Sequence, residues 1–359
     1  MGALDTVEWE TCLLEPVRNP DAERYLRKSL GFVSPGARYF LDSPWLIRAF
    51  AALDVVHVPL VHVGSSLAGM IALVVSQENS CRYCYTATRT LMLILGFPEE
   101  RIRSLEGDAT ELKPEQRATL DFARCVARGV PLATCRDARP LLDAGMSPEQ
   151  LKEIAFLAVA NVFYNRLSTL PALPPAPMEY RWYERLFRPF IAAKLRQPPA
   201  RPQPLAVEER QGPFAAFVNA LSGLPAASRL RRVIDEALQP SALSRRIKGL
   251  VFAVVARGIG CPQSERDATD LLVAEGLTPA QVEHILAHLS GPELDPLEQA
   301  AASLARESIW YQPAPLQRHV RSIRPLFTHE QFVELIGLTA LANSICRLSV
   351  AVDIERQAA

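Results

Sequence analysis

Apolar positions along this chain recur mainly at helical spacing. After Ser147-Pro148-Glu149-Gln150, Leu151, Ile154, Ala155, Ala158, Val159 and Val162 follow one another at three- and four-residue intervals, which places them on one face of a helix. The Ser-Pro-Glu-Gln start combines a capping hydroxyl, a proline suited to the first turn and an acid near the positive helix end. Pro114-Glu115-Gln116 opens a second helix, and Thr278-Pro279 and Thr328-His329-Glu330 mark two more starts. Strand signals are weak, because no Asn-Gly or Asp-Gly turn separates alternating runs. The pattern predicts an all-α protein. The apolar runs Ile154–Ala160 and Leu250–Ala256 fall well short of the ~18–20 residues of a membrane span, so no crossing is expected.

The pattern also repeats. Gly69-Met70-Ile71-Ala72-Leu73-Val74-Val75 precedes Cys81, and Gly249-Leu250-Val251-Phe252-Ala253-Val254-Val255 precedes Cys261, each glycine twelve residues before its cysteine. Leu91–Gly96 matches Leu271–Gly276 at the same offset of 180, while Leu112-Lys113-Pro114 and Ala160-Asn161 recur as Leu294-Asp295-Pro296 and Ala342-Asn343 at 182. Agreement of order and spacing over this length points to an internal duplication. Between the copies the composition changes to two proline clusters, Pro171 to Pro177 and Pro198 to Pro204, as expected of a linker. The expected organisation is a first repeat at 1–170 carrying a CxxC pair, a proline-rich linker at 171–213 with a short amphipathic helix over 179–195, and a second repeat at 214–359 in which the pair is lost.

Composition narrows the chemistry. The 359 residues suffice for two domains and balance 39 basic against 39 acidic residues. No bulk charge therefore draws the chain to nucleic acid or an anionic membrane. No basic, apolar-cored secretory signal opens the sequence. Seven cysteines, an odd number in a long chain, argue against a secreted disulfide scaffold and for a reducing, cytoplasmic setting. The basic groups Arg229-Leu230-Arg231-Arg232 and Arg245-Arg246 read as exposed helix faces.

In a reducing compartment a close cysteine pair invites metal or redox chemistry. Gln77-Glu78-Asn79-Ser80-Cys81-Arg82-Tyr83-Cys84-Tyr85 lies between two apolar helices. With Asn79 or Ser80 as N-cap, Cys81 and Cys84 fall in the first turns of the second helix on one face. The helix dipole and free N–H groups there favour a thiolate. Two small residues packed in a helix are the plainer reading. Zinc would need four ligands in paired close spacings, and Cys125 and Cys135 are too far apart for that; no metal and no cofactor are expected. His57 and His62 flank Pro59 in an apolar stretch, and His284 and His288 lie four apart near Glu283.

These residues together resemble the carboxymuconolactone decarboxylase and alkylhydroperoxidase D-like family. The resemblance is carried by the apolar helix, the Asn-small-Cys-x-x-Cys segment and the following helix within Ala72–Gly96, and by Asn161, Asn165 and Arg166 later in the repeat. It spans roughly 40–170 well and 214–353 more faintly. It implies an all-α bundle that assembles through its helices, trimer-like and here pseudo-hexameric with two fused copies. It also implies Cys84 as the attacking thiol and Cys81 as the resolving one. The family's peroxidases place a Glu and a His where this chain has Gly69 and Thr88; Glu78, His62 or His57 are the candidate substitutes for that proton relay. The second copy has Gly249, Cys261, Ser264 and Ala268 at the corresponding positions, so no dithiol is expected there.

The leading expectation is a thiol oxidoreductase that reduces organic hydroperoxides and is re-reduced by a dithiol protein, with no nucleic-acid or membrane partner. The competing expectation is a non-catalytic relative that serves as an oligomeric scaffold or small-molecule binder. A decarboxylase-like lyase would not need the dithiol at all.

Overall fold

The computed structural model describes residues 4–54, 58–107, 112–127, 135–176 and 199–352, and among them the chain is all-α: sixteen α-helices and no strand. Three short 3-10 turns and one isolated bridge, Gln203 to Gly223, complete the backbone structure. In the N-terminal half the helices are α1 (Pro20–Leu30), α2 (Pro44–Leu53), α3 (Ser65–Glu78), α4 (Arg82–Leu95), α5 (Glu99–Glu106), α6 (Pro114–Ala127), α7 (Cys135–Asp143) and α8 (Pro148–Thr169). In the C-terminal half they are α9 (Ala215–Ala220), α10 (Pro225–Ala237), α11 (Arg245–Ile259), α12 (Pro262–Ala274), α13 (Pro279–His288), α14 (Pro296–Glu307), α15 (Pro313–Ile323) and α16 (His329–Val352).

Local sequence sets most of these starts. Ser147 with Gln150, Thr278 with Gln281 and Asp295 with Glu298 each form a full capping box, and each is followed by a proline in the first helical turn. A proline costs nothing there, because its missing N–H would have had no intrahelical partner. At the far end of α4, Gly96 takes φ +97° and closes the helix, with Phe97 N donating to Met92 O at 3.0 Å.

α3 packs on α4, α6 and α8, and α11 packs on α12, α14 and α16. α8 and α16 pack on each other at the centre of the molecule, where Ser344 Oγ donates to Val159 O at 3.0 Å. α8 is buried around its whole circumference from Ile154 to Phe163, beyond the single face expected from the sequence. α16 adds to the sequence reading. Its apolar window has a mean hydropathy of 1.7, enough by length and composition to cross a membrane, yet 89% of that window is buried inside the protein. Packing between the halves thus accounts for its apolar character.

Two buried carboxylates hold the approaches to the central helices. Glu153 of α8 accepts from the backbone N–H of Val61, His62 and Val63 at 2.6–2.7 Å, just before α3. Glu334 of α16 accepts from Leu243 N at 2.8 Å and from the Lys248 ammonium at 2.7 Å, around the start of α11. The basic group within α10 is not simply an exposed face. Arg231 is 2% exposed, pairs with Asp235 and donates to Gln211 O and Pro213 O, fastening the end of the proline-rich segment. The helix expected over 179–195 lies outside the described residues.

Candidate functional site: a buried dithiol shared by both halves

The chain reaches the cysteines through a tight break. Asn79 ends α3, Ser80 adopts a left-handed φ of +48°, and Cys81 is the N-cap of α4. The cap is therefore Cys81 itself, where the sequence suggested Asn79 or Ser80. Its Sγ accepts from Cys84 N at 3.4 Å, which binds the first cysteine to the helix turn that carries the second. Asn79 serves the site from the side: its Nδ2 donates to Asn165 Oδ1 at 2.8 Å, and Asn165 Nδ2 donates to Ser76 Oγ at 3.4 Å. Both thiols are free, with Cys81 fully enclosed and Cys84 8% exposed.

Burial pushes the Cys84 thiol up, but hydrogen bonds from Cys81, Ser168 and Asn165 outweigh it and bring the group below the ordinary thiol value. Ser168 Oγ lies 3.5 Å from its sulfur. Cys81 moves the opposite way: burial, and then its hydrogen bond to Cys84, hold it well above the ordinary value. The two form one coupled acid in which the first proton leaves from the Cys84 side. Tyr83 is raised by burial and by Cys84; its hydroxyl accepts from Gly36 N at 2.7 Å. A side chain at Gly36 would collide with that phenol, since a Cβ would stand 2.7 Å from its oxygen.

The C-terminal half completes this site. Tyr311, between α14 and α15, holds a left-handed φ of +47°. From there its hydroxyl pairs closely with Thr169 Oγ1 and donates to Asn165 O at 3.2 Å. Thr169 in turn hydrogen-bonds Cys81. The ring of Tyr311 supports the Arg166 guanidinium, whose centre lies 3.9 Å from the ring centroid. Arg166 is 0% exposed, and among the described residues none of its three guanidinium nitrogens has a hydrogen-bond acceptor.

The sequence-derived candidates thus divide. Cys81 and Cys84 come together. Glu78 is the last residue of α3, and the exposed His62 donates its backbone N–H to Glu153; neither is among the groups that set Cys84. His57 lies outside the described residues. Gly69 leaves ordinary van der Waals room toward Met92 Cγ, and Thr88 is buried on α4. Ser168, Thr169 and Tyr311 gave no signal in the sequence.

In the other half, Cys261 Sγ donates to Ser264 Oγ at 3.2 Å and Ser264 Oγ donates to Ser349 Oγ at 3.3 Å. Cys346 of α16 also hydrogen-bonds Ser264, and burial raises its thiol well above the ordinary value. Cys346, which the sequence did not single out, thus joins Cys261 beside Ser264. The His284 and His288 rings stack with centroids 4.4 Å apart. Among the described residues no cluster of three or more His, Cys, Asp or Glu side chains is arranged to hold a metal. No protein-family model matches this chain, and no curated protein matches it.

Proposed function

We propose that the protein is a thiol oxidoreductase of the alkylhydroperoxidase D-like kind, reducing organic hydroperoxides through Cys84 and Cys81. The observation that carries this reading is the placement of two free thiols in the first turn of α4, with Cys84 drawn below the ordinary thiol value by three hydrogen bonds despite its burial. The Cys84 thiolate attacks the terminal oxygen of the hydroperoxide. An S–O bond forms, the O–O bond breaks, and the leaving alkoxide takes a proton to become the alcohol. The Cys81 sulfur then attacks the resulting sulfenic acid, an S–S bond forms, and hydroxide leaves as water with the Cys81 proton. A dithiol protein restores both thiols by exchange and carries away the disulfide.

A cytoplasmic setting, no resident cofactor and assembly into a trimer-like, pseudo-hexameric oligomer belong to the same proposal. So does duplication. It is supported by contacts that recur at an offset of 181, one residue less than the offset read from Ala160-Asn161, namely Glu153 with Glu334 and Ser168 with Ser349, each in the matching place on α8 and α16. Near-complete burial of both thiols favours a second reading, a non-catalytic scaffold or small-molecule binder. The test is to treat the reduced protein with cumene hydroperoxide, follow its consumption with dithiothreitol as reductant, and locate the disulfide by peptide mass. A Cys81–Cys84 disulfide, with turnover lost in Cys84→Ser, supports the oxidoreductase. Inert thiols leave the binder.

A further inference from the structure

Among the described residues Arg166 has three buried side-chain nitrogens without an acceptor, more such atoms than any other side chain. A guanidinium carries five N–H donors and stays charged, and burying one without acceptors is strongly unfavourable. Here all three nitrogens are enclosed and lack a well-aligned acceptor among the described residues, and Tyr311, through its ring face and its neutral hydroxyl, is the contact that steadies the group. A cation–π contact of this kind offsets only part of that cost. Nor is relief available from the facing helix. Arg347 of α16 is also fully buried, donates to Ile309 O at 3.0 Å, and is held down first by burial and then by repulsion from Arg166. The site therefore has a surplus of buried positive charge and needs an anion.

Among the described residues the acidic groups that act on Arg166 are Tyr311, beneath it, and Cys81; Cys84 is paired with Cys81, and Tyr83 and Tyr164 stand around that pair. All three tyrosines are raised, first by burial, so they stay neutral. Cys84 alone among these moves down. Burial brings Arg166 down to about 10, and anionic Tyr311 and Cys81 would oppose that shift.

We propose that Arg166, clamped on Tyr311, is the counter-ion of the anionic Cys81/Cys84 dithiol, so that this site favours the reduced thiolate over the disulfide. This deepens the thiol-oxidoreductase reading and rests on it only for its biological use. Oxidation to the disulfide removes two electrons and the remaining thiol proton and leaves no anion beside Arg166. An oxidant, here a hydroperoxide or a disulfide such as oxidised glutathione, must then work against an uncompensated buried cation. The couple is consequently easy to reduce, and its disulfide is a good oxidant of dithiol partners. The C-terminal half acts on the site by presenting Tyr311.

The experiment reads thiolate absorbance near 240 nm against pH, as the difference between the protein and its Cys84→Ser variant. It also reads the dithiol–disulfide equilibrium in glutathione buffers. The expected result is one thiolate titrating below the ordinary ~8.5. Arg166→Met should move it up by at least one unit and shift the equilibrium at least tenfold toward the disulfide, which is about 30 mV for a two-electron couple. Arg166→Lys should keep most of both effects, and Tyr311→Leu should give an intermediate loss. An unchanged titration and equilibrium in Arg166→Met overturns the proposal. If that variant does not fold, wild-type values retained in Tyr311→Leu overturn it instead. Neither readout uses hydroperoxide turnover. A low-titrating thiolate that ignores cumene hydroperoxide would end the peroxidase reading and leave this one standing.

Discussion

At the scale of single residues Cys84 takes its direct hydrogen bonds from groups that carry no charge. Ser168 Oγ stands 3.5 Å from Cys84 Sγ, and hydrogen bonds to charged groups contribute about 1.5–3 kcal/mol. Removing it in Ser168→Ala should therefore raise the Cys84 titration by about one unit. Stability follows with a definite sign. Cys84 gives up its proton at lower pH in the folded chain than in the unfolded one. Between the folded value and the ordinary ~8.5 the unfolded chain binds more protons, so stability rises with pH across that window and is lost as pH falls through the folded value. Cys81 and Cys346, both raised first by burial, act in the opposite direction above ~8.5. Urea unfolding of wild type and Cys84→Ser at several pH values separates the two contributions. The wild-type slope below ~8.5 should flatten in Cys84→Ser and weaken in Ser168→Ala, and identical slopes would show that Cys84 does not titrate early. The cysteine spacing made this site legible in the sequence, because a CxxC beside a helix start is a local signal. Ser168 and Thr169 were not legible, since a hydroxyl at a helix end has many uses and its partner lies 84 residues away in the case of Ser168.

At the scale of elements, local chemistry reads well and long-range chemistry poorly. The Ser147, Thr278 and Asp295 starts follow from side chains within three residues of one another. The start of α3 is different. It has no side-chain cap of its own, and the loop before it is held by Glu153, about 90 positions on in the chain. Glu153→Ala would strand three backbone donors in a partly buried loop, at a cost of about 2–4 kcal/mol, and Glu153→Gln, which keeps an acceptor oxygen, should cost less. Chemical denaturation gives both values. Because α3 leads directly into the Asn79–Cys81 break, Glu153→Ala should also raise Cys84 accessibility to a thiol reagent. A change of stability without a change of reactivity would show that the loop is independent of the dithiol. Cys81 as N-cap belongs to the same lesson. Asn and Ser are the stronger capping residues in general, but here Ser80 is occupied in the left-handed turn and Asn79 is committed to Asn165.

At the scale of the whole molecule, a pattern that reads as two separable repeats is folded around one shared centre. α8 and α16 are each enclosed along most of their length, and each supplies a large part of the other's cover. α2 crosses to pack on α10, and Gly337 of α16 lies so close to Leu46 that a Cβ there would stand 2.8 Å from Leu46 Cδ1. Tyr311 extends the dependence to the chemistry, since it reaches from a strained backbone in one half to Thr169 and Asn165 in the other. Neither fact was visible from hydrophobic periodicity, which reports how apolar a helix is but not which neighbour covers it. Apolar area that both halves hide in common cannot be exposed by one half alone without loss to the other. The two halves should accordingly unfold together. In urea, the loss of helical circular dichroism and the onset of Cys84 reactivity should share one midpoint, with a slope fitting the exposure of the entire chain. Two separated transitions, with Cys84 exposed in the first, would mean that the N-terminal half opens while α16 stays folded. Tyr311 would then be a contact made late, and the dithiol could be uncovered for a protein reductant without unfolding the rest.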